Sequence, residues 1–194
     1  MNTQSTPTMN GLNVDQMTQT LDALRGDPTL AAFEFRATNR WVNGGENRST
    51  IQSFYGAGQE DTSREEPFVF TNGEPPVLLG NNEGANPVEF LLHALAGCVT
   101  TTTVTHATAR GIPIRSIATT LRGTIDLQGM LALDPDVQAG YQGITIDMEI
   151  DADCSDEEIE ALLETARGHS PVCTTVCRPV PVKLNRVQRQ QAAA

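Results

Sequence analysis

The sequence predicts an α+β protein with largely antiparallel sheets packed around one long apolar helix. Residues 90–109 contain no Asp, Glu, Lys or Arg, a stretch suited to a helix apolar nearly all round and buried in a core. Residues 144–150 alternate strictly, with Ile144, Ile146, Met148 and Ile150 on one side and Thr145, Asp147 and Glu149 on the other, the period of a strand with one buried face. Along the chain the order is helix, three strands, long helix, two strands, helix, short helix, strand. That order segregates hairpins from helices and so argues against a parallel α/β design.

Residues 1–12 are polar and read as a disordered tail, and residues 13–30 as a helical extension. Within it, residues 14–25 place Val14, Met17, Leu21 and Leu24 on one face, with Asn13 and Gln16 as a capping box and Gly26-Asp27-Pro28 as the stop. Residues 31–42 read as a strand, Asn43-Gly44-Gly45 as a turn, and 47–55 as the returning strand. Residues 56–66 read as a polar loop, Pro67 to Phe70 as a short third strand, and 71–86 as a Gly/Asn/Pro-rich loop. Asn86 is placed as N-cap and Pro87 as first residue of the apolar helix, which runs to Arg110 and ends at Gly111 and Pro113. Residues 115–128 form the next strand, 129–140 a connection and 144–150 its partner. Ser155 and Glu158 make a capping box for a helix with Ile159, Leu162, Leu163 and Ala166 inward, closed by Gly168. Ser170-Pro171 opens a short helix through about Val176. Pro179 and Pro181 flank a last strand, about 180–186, suited to a sheet edge, and 188–194 is a second tail.

The 194 residues are enough for one core of their own. A net charge of −11 disfavours a nucleic-acid backbone or an anionic membrane as partner, because both repel an acidic surface. The apolar stretch is long enough to span a bilayer, but its six threonines and two histidines favour a core helix instead. The first thirteen residues lack the basic and apolar regions of a secretory signal, so a cytoplasmic location with free thiols is expected. The cysteines Cys98, Cys154, Cys173 and Cys177 lack zinc spacing. Cys173 and Cys177 lie four apart with no second ligand pair, so no metal is expected. No phosphate loop, nucleophile elbow or dinucleotide fingerprint is present, and no cofactor is expected.

Chemistry can therefore rest on thiols. Cys98 lies halfway along the apolar helix and shares a face with Leu91 and Leu95, so packing as a small hydrophobe competes with reactivity. Cys173 falls at the third position of the short helix, where the positive end of the helix dipole is expected to lower a thiol's pKa; packing with Val172 and Val176 is the alternative. His93, His106 and His169 form no Cys–His arrangement by spacing.

Three segments together resemble the OsmC/Ohr family: NPVEFLLHALAGC (86–98), RGIPIRSIATTLRGTIDL (110–127) and HSPVCTTVCRPVPVKL (169–184). The likeness extends over roughly residues 31–186 and marks 31–187 as an OsmC-like domain. It implies an intertwined homodimer around two packed central helices, with the active site at the subunit interface. It also implies a thiol peroxidase for organic hydroperoxides, in which a helix cysteine becomes a sulfenic acid, a second cysteine resolves it as a disulfide, and an external dithiol reduces that disulfide. Carried over residue by residue, Cys98 matches the attacking cysteine, and Arg40 is the nearest match to the activating arginine, with Arg48 as its competitor. The family's assisting glutamate falls on Val88; Glu89 follows it, rotated by about 100° around the helix. The resolving position falls on Ser170, and a serine cannot resolve a sulfenic acid; Cys173 lies three residues on.

The sequence thus leaves three readings. One is a Cys98 peroxidase with Cys173 or an external thiol resolving, assisted by Arg40 and Glu89. The second is a non-catalytic dimer that holds an apolar small molecule in its interface pocket, favoured by Val88. The third is a stress-associated dimer with no chemistry.

Overall fold

The computed structural model describes residues 8–178 and 180–187. It is α+β with antiparallel sheets, as the pattern predicts. Its best-packed part is a long hairpin of β8 (Ile114–Thr124) and β9 (Gly143–Ala152) against the helices α2 (Pro87–Ala109), α4 (Asp156–His169) and α5 (Pro171–Cys177). The inward rows are Ile117, Thr119 and Leu121 opposite Ile150, Met148 and Ile146. Strand β9 alternates half-buried and exposed along its whole length. A bulge between Ile114 and Ser116 shifts the phase of β8, so Ile114 and Ile117 both face the core although they are three apart.

Helix α2 begins as expected at Asn86, whose side chain accepts from the Val88 N–H at 3.0 Å. Glu89 completes the cap by accepting from the Asn86 N–H at 2.9 Å. Its buried stripe is Leu95, Val99, Thr103, Ala107 and Thr108. Of the described helices it is long and apolar enough to cross a membrane, yet this stripe packs against the hairpin and α4, as in a core helix. The threonines fit an apolar helix because Thr102, Thr103, Thr105 and Thr108 donate to carbonyls one turn back, Thr102 to that of Cys98 at 2.8 Å. Gly111, at φ 73°, ends the helix, and the Ile112 N–H reaches back to the Ala107 carbonyl.

Two core clusters result. Leu95, Val99, Ala166 and Cys173 form one, backed by Leu121, Ile144, Ile146 and Met148. Ala107, Ile112 and Leu162 form the other.

The N-terminal half differs from the sequence reading in several places. Residues 8–12, read as tail, form a small hairpin of β1 (Thr8–Met9) and β2 (Leu12–Asn13). Asn10 ties it to the end of α2: its side chain donates to Thr108 Oγ1 and the Ile112 carbonyl and accepts from the Ile114 N–H. Helix α1 (Val14–Gly26) follows the expected span, with Asn13 as its cap. The strand expected over 31–42 is shortened to β3 (Thr38–Asn43), because a 3-10 turn occupies Pro28–Ala31 and Glu34 makes one isolated bridge to Tyr55.

The return strand is split into β4 (Glu46–Ile51) and β5 (Phe54–Gly56). Strand β5 turns at Ala57-Gly58, both at positive φ, and pairs with β6 (Gln59–Asp61), so the polar loop begins with a hairpin. Strand β7 (Phe68–Asn72) completes a sheet in the order β3-β4-β7. The hairpin turn past Thr124 holds a short helix α3 (Leu127–Met130), where the strand was expected to run to 128. Helix α4 continues through Gly168 to His169. The expected last strand is unpaired: residues 180–187 carry no regular structure and are exposed. The tails 1–7 and 188–194 lie outside the described residues.

Candidate functional site

Helices α2 and α5 pack together, and this contact places three of the four thiols in one region. Cys98 is half-buried on α2, beside the buried stripe and not within it; Leu91, its expected face-mate, is exposed. Cys173 is buried among Leu95, Val99 and Ala166. Cys98 lies near enough for its charge to press on the Cys173 thiol. Cys177 ends α5, exposed, with its sulfur 4.0 Å from that of Cys173.

A cavity of about 350 Å³ opens beside Cys173 and Cys177. Its walls are Val99, Ile144, Ile146, Met148 and Leu163, and its polar margin is Arg167 with Cys173 and Cys177. Arg167 also pairs with Glu164 at 2.8 Å, which raises its pKa, and the two thiols add to that effect.

Cys173 is not acidified as its place near the helix start predicts. The thiol's pKa is raised, first by burial, then by its hydrogen bond to and the charge of Cys177; Arg167 opposes only in part. A two-turn helix supplies too small a field to overcome a dry pocket. Ser170 is wholly buried, and its Oγ accepts from the Cys173 N–H at 3.4 Å. The position matched to a resolving cysteine is therefore occupied by the cap of α5.

The other site residues lie elsewhere in the chain. Glu89 is engaged in the α2 cap and stands about 13 Å from Cys98 along the helix axis. Val88 is partly exposed, and its carbonyl accepts from the Tyr141 hydroxyl at 2.8 Å. Arg40 and Arg48 are directly opposed on β3 and β4 and line a separate open hollow of about 640 Å³ with Thr38, Trp41, Thr50 and Val69. Arg48 pairs with Glu46 at 3.0 Å. The His106 and His169 rings meet at a tilt, 5.6 Å between centroids; burial lowers the His106 pKa, with His169 and Arg110 adding to the effect. Among the described residues no three His, Cys, Asp or Glu side chains cluster as metal ligands. The sequence reading passed over Arg167 and the pairing of Cys177 with Cys173. The second was visible in the spacing, since residues four apart share one helix face.

A long central helix bearing a cysteine, a two-stranded hairpin across it and a thiol-bearing helix behind it define an α+β thiol protein of the OsmC architecture. The model of the OsmC-like protein family matches residues 80–185, more than half of the chain, and the chain belongs to that family. Solved structures with the same fold include an OsmC-like protein from Mycoplasma pneumoniae, 19% identical with TM-score 0.56, covering 74% of this chain and 87% of that one. Another is an organic hydroperoxide resistance protein OsmC from Legionella pneumophila, 16% identical with TM-score 0.52, covering 73% and 88%. A third is an OsmC-like protein of unknown function from Vibrio cholerae, 11% identical with TM-score 0.52, covering 73% and 92%. No curated protein matches the chain by sequence.

Proposed function

We propose that this protein is a cytoplasmic homodimeric thiol peroxidase that reduces organic hydroperoxides through Cys98, with Cys173 resolving and an external dithiol as reductant. The observation that carries the reading is the approach of Cys98 on α2 to Cys173 and Cys177 on α5, the last two at the margin of an apolar cavity large enough for an organic peroxide. Family membership and the hydroperoxide resistance named for the Legionella relative support it.

The dimer rests on the apolar side chains that the single chain leaves exposed. Every residue of β3 is exposed, and Phe35, Trp41, Val69, Val182 and Leu184 are bare. Arg40 lines a hollow that Cys98 does not share, so in the proposed dimer the arginine of one chain serves the Cys98 of the other. The sequence of events is attack of the Cys98 thiolate on the peroxide oxygen, loss of the alcohol and formation of a sulfenic acid. Glu89, in its cap, is assigned no proton transfer.

The reaction is tested by stopped-flow mixing of the reduced protein with cumene hydroperoxide, followed by steady-state turnover with dithiothreitol. Cys98→Ser should abolish turnover, and Arg40→Gln should slow sulfenic acid formation. A Cys98 thiol that survives excess hydroperoxide refutes the peroxidase. The second reading, an apolar ligand held without chemistry, is favoured by the cavity's aliphatic walls. It predicts a small molecule retained in native mass spectra.

A further inference from the structure

We infer that Cys177 is a third redox cysteine, which takes the disulfide over from Cys173 and presents it at the surface as a Cys173–Cys177 pair. This rests on the peroxidase reading of Cys98 and adds a step to it.

Cys173 is buried at the inner end of the cavity margin, whereas Cys177 is exposed one turn further along the same helix. A disulfide between Cys98 and Cys173 would lie between packed helices, with its Cys173 sulfur in the cluster of Leu95, Val99 and Ala166, where a dissolved dithiol has poor access. Exchange needs a thiolate that can reach one of the bonded sulfurs. Cys177 already stands 4.0 Å from Cys173. The Arg167 guanidinium lies close enough for both thiols to act on it, so a thiolate formed at either has a cation at hand.

Closing the bond requires Cβ atoms about 3.8 Å apart. Residues four apart on a regular helix hold them at about 5–6 Å. The last turn of α5 must therefore loosen, and its build allows this. The helix has seven residues, ends at Cys177, and continues into extended backbone at Arg178. A helix that short has little stability of its own beyond its packing.

The steps balance. The Cys98 thiolate takes an oxygen from the hydroperoxide, the O–O bond breaks, and an alcohol leaves after protonation. The Cys173 thiolate attacks the Cys98 sulfenic acid, forming the Cys98–Cys173 bond and releasing water. The Cys177 thiolate then attacks the Cys173 sulfur, breaking that bond and restoring the Cys98 thiolate. An external dithiol reduces the Cys173–Cys177 bond, is itself oxidised to a disulfide, and returns both protons.

The test uses the full-length reduced protein, one equivalent of cumene hydroperoxide, rapid alkylation, and non-reducing peptide mapping. The wild type should accumulate a Cys173–Cys177 disulfide with Cys98 alkylated. Cys177→Ser, with Cys177→Ala as a second variant, should stop at Cys98–Cys173, and turnover with dithiothreitol should fall roughly tenfold because the buried bond is reached slowly. Wild-type turnover in both variants, with Cys98–Cys173 as the terminal species of the wild type, overturns the relay and leaves the peroxidase intact. A Cys173–Cys177 bond forming at the wild-type rate in Cys98→Ser overturns entry of the peroxide at Cys98, and with it both proposals.

Discussion

The exposed C-terminal segment offers a quantitative test of assembly. Val180, Val182 and Leu184 alternate in sequence with polar residues or proline, and their exposures are 52%, 86% and 100%. Such a row is one face of a strand without a sheet. In the proposed dimer each chain lends this face to its partner. Removing two carbons at Val182→Ala and three at Leu184→Ala forfeits about 4 kcal/mol per segment, at about 0.8 kcal/mol per buried carbon. Two-fold symmetry doubles the loss, so even half-complete burial predicts a dimer weakened about 700-fold, at 1.4 kcal/mol per factor of ten. The separate chain should keep its secondary structure, because neither side chain touches its own core. Sedimentation equilibrium of the wild type and the double variant, with far-UV circular dichroism as the folding control, measures both quantities. Dissociation constants within threefold of each other would refute the strand-exchange argument, as would a wild type that is monomeric at micromolar concentration.

Three further outcomes follow from the packing. Leu162 is wholly buried between α2 and α4, and Leu162→Ala should lower unfolding stability by about 2–5 kcal/mol, read from urea denaturation. Asn10→Ala removes three hydrogen bonds that pin the N-terminal hairpin to α2 and leaves the Ile114 N–H unpaired; a loss of about 1–3 kcal/mol is expected, with faster amide exchange at Ile114. Burial lowers the His106 pKa beneath its ordinary value of 6.5, with His169 and Arg110 facing it. The unfolded chain then binds the proton more readily, so this contribution is intact above pH 6.5 and is lost as pH falls through the folded value. The melting temperature should decline on acidification, and His106→Gln should flatten part of that decline; parallel curves would contradict the assignment.

The elements legible in the sequence were those whose periodicity and caps agree. The alternation of 144–150 marks β9, and Asn86-Pro87 and Ser155 mark the starts of α2 and α4 within a residue. Local pattern failed where pairing decides. Gln59, Glu60 and Asp61 form a strand only because the Ala57-Gly58 turn folds them onto Phe54–Gly56. Thr8 and Leu12 are held by Asn10, whose partners lie about a hundred residues away. The stretch 180–186 is strand-like in sequence but finds no partner among the described residues. The site was legible in part. Resemblance singled out Cys98, and the short helix singled out Cys173. The dryness that raises the Cys173 thiol comes from Leu95 and Val99, on another helix. The role of Ser170 as cap follows from Pro171 beside it, a local rule that the sequence does display.

The hairpin of β3 and β4 carries one further consequence. Arg40 and Arg48 confront each other across the strands, and like charges so placed repel. Glu46 answers Arg48 from the side, but the hollow between the guanidinium groups stays positive in a protein whose net charge is −11. The strand pair is thus internally frustrated as an isolated object. An anion settling there, whether a carboxylate, a chloride ion or a sulfur that has shed its proton, would relax the sheet and find its own charge met in the same event.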